Sequence, residues 1–245
     1  DEIALVPGLR TLDPQLADTS WEIGGVSRDI PIIASAMDGV VDVKMAVELS
    51  RLGALGVLNL EGIQTRYEDP DPVLDRIASV GKTEFVSLMQ ELYAKPVLPE
   101  LIEKRIKEIK SQGGVAAVSL TPAGASKFGK TVAEAGADLI FVQATVVSTD
   151  HSSPESIDPL DLAKFCKEMT VPVLLGNCVT YEVTLQLMQA GAAGVMVGIG
   201  PGAACTSRGV PGVGVPQATA VADCAAARDD YQKESGRYVP IIADG

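Results

Sequence analysis

Aromatic side chains make up only 4% of the chain, so its core cannot rest on Phe, Tyr and Trp; with hydrophobic residues at 47%, Val, Ile, Leu and Ala must fill it. That is the composition of parallel strands covered on both faces by helices. Histidine is almost missing: His151 stands alone, which excludes a multi-His metal site and leaves a Ser-His-Asp triad little support. No uninterrupted apolar run reaches the roughly 18 residues of a membrane span. Positive charge is short, 20 Lys and Arg against 32 Asp and Glu for a net −12, which disfavours nucleic acid and anionic membrane as partners. A small phosphorylated ligand stays open, because backbone N–H groups hold phosphate without net charge. The four cysteines (Cys166, Cys178, Cys205, Cys224) show no CxxC spacing, and a reducing, cytoplasmic setting is the simpler expectation. The opening Asp1-Glu2-Ile3 is acidic and lacks the basic start of a secretory signal.

What is present is a rhythm. Short apolar runs at 30–34, 54–58, 115–119, 139–143, 171–176, 194–198 and 239–243 read as strands. Helical candidates lie between them, for example 43–52, 101–112 and 182–190, each followed by glycine. Ile102, Ile106 and Ile109 recur at helical spacing with lysines on much of the other face. Strand, helix, strand in this order means parallel pairing through crossover helices, hence an α/β fold. Seven strands are visible in 245 residues, whereas a closed (β/α)8 TIM barrel has eight. Either the sheet is an open doubly wound one, or the chain carries all but one strand of a barrel. The polar segment 65–72 is too short to hold another domain, so residues 1–245 read as a single domain.

The chemistry concentrates in Gly198-Ile199-Gly200-Pro201-Gly202-Ala203-Ala204-Cys205-Thr206-Ser207-Arg208, which follows an apolar strand and leads into a helix beginning near Pro216. A Gly-rich loop at the C-terminal end of a strand is where α/β folds build sites. A dinucleotide fingerprint fits poorly: counted from Gly198 the third glycine comes one place early and Pro201 removes a donor. The bland alternative is a structural turn with a packed thiol. That reading suits Cys166 and Cys224, at helical positions, and Cys178. Cys205 differs, because it sits among glycines and hydroxyls where a thiolate is both stabilised and reachable. Elsewhere, His151 reads as a solvated loop residue, Trp21 as a packing anchor, and the pairs Glu68-Asp69 and Asp229-Asp230 as solvated faces.

This loop, with Gly212-Val-Gly-Val-Pro-Gln-Ala-Thr-Ala-Val after it, closely resembles the active-site loop of the IMP dehydrogenase/GMP reductase family. Pro31-Ile-Ile-Ala-Ser-Ala-Met-Asp38, Gly53-Ala-Leu-Gly-Val-Leu58, Gly176-Asn177 and Pro240-Ile-Ile-Ala-Asp-Gly245 match further family motifs in order. The resemblance favours the TIM barrel, with the eighth strand, the rest of the phosphate site and a mobile flap expected beyond Gly245. It implies that Cys205 adds to C2 of IMP, with Ser207 near the hydrolytic step. Ser35, Met37, Gly202, Ala203, Asp244 and Gly245 would bind substrate, Asp244 through both ribose hydroxyls. Gln143, Asn177, Gly198 and Gly200 would face NAD, and the carbonyls of Gly200, Gly202 and Cys205 a potassium ion. A homotetramer is implied too. The chain departs from the family where Gln143 replaces an Asp, Met196 a Lys or Arg, and Ala203 a phosphate-contacting Ser. Losing one charge of each sign together suggests a rebuilt cofactor pocket. There is no room for a regulatory CBS pair after the second strand. The resemblance leaves two reactions open, IMP oxidation with NAD⁺ in guanine nucleotide synthesis and NADPH-dependent GMP reduction. Leu5-Val-Pro7, Ala34-Ser-Ala-Met37 and Gly53-Ala-Leu-Gly-Val57 favour the dehydrogenase. A silent purine-nucleotide-binding barrel is the third reading.

Overall fold

The computed structural model describes residues 6, 8, 11–150 and 159–245; Asp1-Glu2-Ile3, Leu5, Pro7 and His151, singled out above, lie outside the described residues. A short antiparallel hairpin, β1 (Trp21–Ile23) and β2 (Val26–Arg28), precedes the main sheet. The chain then alternates β3 (Ile33–Ala34), α1 (Val43–Arg51), β4 (Leu55–Asn59), α2 (Asp71–Ser79), α3 (Phe85–Tyr93), α4 (Pro99–Ser111), β5 (Ala117–Leu120) and α5 (Pro122–Glu134). It continues through β6 (Leu139–Gln143), α6 (Leu162–Glu168), β7 (Val173–Cys178), α7 (Tyr181–Gln189), β8 (Gly194–Val197), α8 (Gln217–Ser235) and β9 (Ile241–Ala243). Strands β3 to β9 form one seven-stranded sheet in sequence order, every neighbouring pair parallel. Consecutive parallel strands with helical crossovers of one hand curl the sheet on itself, so this is a TIM-barrel-like α/β fold rather than an open doubly wound sheet.

Alternation along each strand divides two cores. Leu55 and Val57 of β4, Leu139 and Phe141 of β6, Leu174 of β7 and Met196 of β8 point into the barrel. Leu58, Ile140, Val142, Leu175, Val195 and Val197 point outward against the helices. Several helices begin on side-chain caps: Asp42 accepts from Met45 N at 2.6 Å, Thr121 from Gly124 N at 3.1 Å and Asp161 from Lys164 N at 2.9 Å. Ile102, Ile106 and Ile109 are fully buried on α4, as their spacing requires. Among the described residues no helix is long and apolar enough to cross a membrane.

Strand β6 occupies the residues read from the sequence, and the other elements shift by a residue or a few at their ends. The first strand is the most altered, shrinking from 30–34 to Ile33–Ala34. Its leading residues are held otherwise: Asp29 N and Ile30 N donate to Gly53 O, while Ile30 O accepts Trp21 Nε1 at 2.8 Å. Trp21 is thus the packing anchor its position suggested, joined to the interior cluster through β1. Two features escape the sequence reading. The hairpin β1–β2 sends Ile23, 3% exposed, into the interior core, and Gly24 packs so close to Pro172 that a Cβ there would lie 2.4 Å away. The helix pair α2–α3 occupies the crossover to α4 and packs Val73, Leu74 and Ile77 with Leu88 and Leu92 in a small cluster of its own.

Candidate active site

At the C-terminal ends of the strands the inward positions turn polar. Asn59 and Ser119 face each other in register at the ends of β4 and β5. Gln143 ends β6, Asn177 lies in β7, and Asp244 follows β9 directly. Three of these form a closed network. Gln143 Nε2 donates to Asn177 Oδ1 at 3.0 Å and to Asp244 Oδ2 at 2.8 Å. Asn177 Nδ2 donates to Gly198 O at 2.9 Å and to the same Asp244 oxygen at 2.7 Å. Above them opens a cavity of about 510 Å³, within the size range of small-molecule sites.

The Gly-rich loop forms one wall. Gly198 has φ +151°, and a Cβ there would stand 2.0 Å from Asp244 O, so only glycine lets β8 exit so close to the end of β9. Arg208 threads the loop: its side chain lies where a Cβ on Gly200 or Gly214 would be, and its Nη2 donates to Val215 O at 2.7 Å. Cys205, exposed at the rim, has its N–H on Gly202 O at 3.0 Å and its Sγ 3.4 Å from Ser207 Oγ. The Ser207 hydroxyl, then the Ser207 N–H, lower the thiol's pKa below the usual value, with smaller help from the Gly200 backbone and the Arg208 charge. The other cysteines are packed: Cys178 is buried at the end of β7 beside Thr184, Cys224 is buried in α8, and burial pushes the Cys166 thiol up to about 11.

The cavity brings together Gln143, Asn177, Gly198, Gly200, Gly202, Cys205, Ser207, Asp244 and Gly245. Ser35 and Met196 line an adjoining inner cavity of about 180 Å³, which shares Gln143, Asp244 and Gly245 with the first. Met37 and Ala203 line neither; Met37 is 57% exposed. The sequence reading missed Asn59, Glu61, Ser119, Thr121 and Thr145, which also line the main cavity. Glu61 accepts from Thr121 N and Oγ1 at the start of α5. A polar residue closing an apolar strand was the available signal for Asn59 and Ser119. The acidic pairs are solvated as expected, Glu68 meeting Lys104 and Asp230 meeting Lys233 on exposed faces.

The IMP dehydrogenase / GMP reductase domain model matches residues 1–245, the whole chain. The chain belongs to the IMP dehydrogenase/GMP reductase family. It is 37% identical to an uncharacterized oxidoreductase of Mycolicibacterium smegmatis over 100% of this chain and 67% of that protein. A second uncharacterized oxidoreductase, from Mycobacterium leprae, is 39% identical over the same shares. An inosine-5′-monophosphate dehydrogenase of Cryptosporidium parvum is 29% identical over 100% of this chain and 60% of that protein. Among solved structures, an IMP dehydrogenase/GMP reductase-like protein from Corynebacterium glutamicum superposes with a TM-score of 0.89 at 34% identity, covering 99% of this chain and 64% of the other. The chain therefore spans about two thirds of the length of its relatives. Membership makes it an oxidoreductase-family domain, and the cavity at the C-terminal strand ends lies where barrels of this kind place their chemistry.

Proposed function

We propose that the chain is the catalytic barrel of an IMP dehydrogenase-type enzyme, converting IMP, NAD⁺ and water to XMP, NADH and a proton. The observation that carries this reading is Cys205, an exposed thiol of lowered pKa on the wall of a cavity whose floor holds Asp244. Its thiolate forms an S–C2 bond to the purine and makes C2 tetrahedral, so that the C2–H electron pair can depart as hydride. NAD⁺, when bound, supplies the acceptor for that hydride. The resulting thioimidate is attacked by water at C2; the C2–S bond breaks and Cys205 is regenerated. Ser207, 3.4 Å from Sγ, sits beside that attack. Asp244 reads the ribose, and Gly202 with Gly245 borders the substrate; Ser35 approaches from the inner cavity.

Gln143 commits its N–H donors to Asn177 and Asp244, and Asn177 commits its own to Gly198 and Asp244. Contact with the cofactor therefore falls to the backbone of Gly198 and Gly200 and to remaining acceptor oxygens. A potassium ion, which the resemblance to the family's dehydrogenases implies, would rest on the carbonyls of Gly200, Gly202 and Cys205. These are hard oxygen donors suited to it, although Gly202 O already accepts the Cys205 N–H.

The test is absorbance at 340 nm with the full-length protein in potassium buffer. A rise with IMP and NAD⁺ that vanishes in Cys205→Ala is the expected result. A fall with GMP and NADPH instead would assign GMP reduction, and silence in both would leave nucleotide binding without turnover.

A further inference from the structure

The amide network beneath the cavity has a direction. Gln143 Nε2 faces two acceptors, Asn177 Oδ1 at 3.0 Å and Asp244 Oδ2 at 2.8 Å. Asn177 Nδ2 likewise faces two, Gly198 O at 2.9 Å and Asp244 Oδ2 at 2.7 Å. Each orientation is thereby fixed, since the opposite flip would set oxygen against oxygen. One oxygen of Asp244 is saturated by two donors. Among the described residues the other, Oδ1, accepts no hydrogen bond, and Asp244 borders both cavities. No lysine or arginine lines either cavity, so these amides supply the side-chain donors to this carboxylate.

We propose that Gln143 is a positioning residue: with Asn177 it clamps Asp244 by one oxygen and presents the other to the hydroxyl groups of a ribose. The proposal rests on the purine-nucleotide reading of the site. It specifies what the ligand must offer there, namely a donor. Ribose hydroxyls satisfy Oδ1; a 2′-deoxy sugar takes away one of those donors, and an anionic substituent would meet a carboxylate with no basic side chain lining either cavity. A glutamate in place of Gln143 would stand within hydrogen-bond distance of Asp244, and two carboxylates that close cannot both ionise.

The experiment measures binding of IMP and 2′-deoxy-IMP by calorimetry, using full-length protein with Cys205→Ala so that neither turnover nor thiol titration contributes. The parent should favour the ribonucleotide by about 10–100-fold, the worth of a hydrogen bond to a charged group. In Gln143→Leu that preference should collapse to within about threefold. Gln143→Glu, an isostere that keeps the packing, should bind IMP poorly at pH 8 and recover toward about pH 5, where protonation of the introduced carboxyl restores a donor to Asp244. Glu61, the other carboxylate on the cavity wall, is common to parent and variant, so the comparison isolates position 143. Undiminished preference in Gln143→Leu, or a Gln143→Glu profile parallel to the parent's, overturns the clamp while leaving the purine reading intact. A parent that binds no purine nucleotide overturns both. If Gln143→Leu fails to fold, the Gln143→Glu profile decides alone.

Discussion

Cys205 is separated from the other three cysteines by its surroundings rather than by its neighbours in sequence. It is exposed, and the Ser207 hydroxyl with the Ser207 N–H favours its thiolate. Cys166 titrates near 11 because burial disfavours its charged form. Cys178 and Cys224 are buried, so alkylation by iodoacetamide should mark the exposed Cys205 first. The rate should climb as pH rises through a midpoint below that of a free thiol, because only the thiolate reacts. Ser207→Ala removes the first contributor and should move that midpoint upward, slowing alkylation at pH 7. Peptide mapping across a pH series checks this; an unmoved midpoint would mean that Ser207 does not tune the thiol. The same residue scale shows what was hard to read. The glycines and hydroxyls around Cys205 singled it out in the sequence, but the partners of Gln143 and Asp244, 101 positions apart, exist only once the strands are adjacent.

At the scale of elements, the site depends on β8 ending hard against β9. Gly198 permits it, with Asp244 O at 2.0 Å from where a Cβ would be, and Gln217 at the start of α8 ties the two strand ends by donating to Val197 O at 2.7 Å. Gly198→Ala should cost about 2–4 kcal/mol of stability through steric overlap and a disfavoured φ. Turnover should fall much further than stability, since the displaced carbonyl belongs to Asp244. Denaturant melts beside kinetics test it, and a variant of parental activity would show that the loop tolerates a different exit. The strands and most crossovers were legible because apolar runs and helical spacing repeat. The hairpin β1–β2 was not, its strands of three residues being too short to show alternation. Helices α2 and α3 were hidden for another reason: they bury their apolar faces against each other and against Ile63 and Tyr67, in a cluster apart from the two barrel cores.

For the whole molecule, seven parallel strands in sequence order carry polar side chains or loops from six successive strand ends, β4 to β9, to one cavity. The interior below is packed by Leu, Val, Phe and Met, with Met196 at 3% exposure facing the inner cavity. Charge plays little part in its walls: they hold the carboxylates Glu61 and Asp244 and no basic side chain. What these walls offer a phosphate is backbone N–H groups and not side-chain cations. The α/β architecture was readable from rhythm alone; the family resemblance favoured a barrel over an open sheet, and the strand pairing bears that out. In the reaction proposed, Cys205 bonds covalently to the purine during turnover. The most direct measurement is intact-mass and peptide analysis of the full-length protein, acid-quenched during turnover of IMP with NAD⁺. A nucleotide adduct on the peptide bearing Cys205, absent in Cys205→Ala, is the predicted result; turnover with no adduct, or an adduct on another cysteine, would contradict the account.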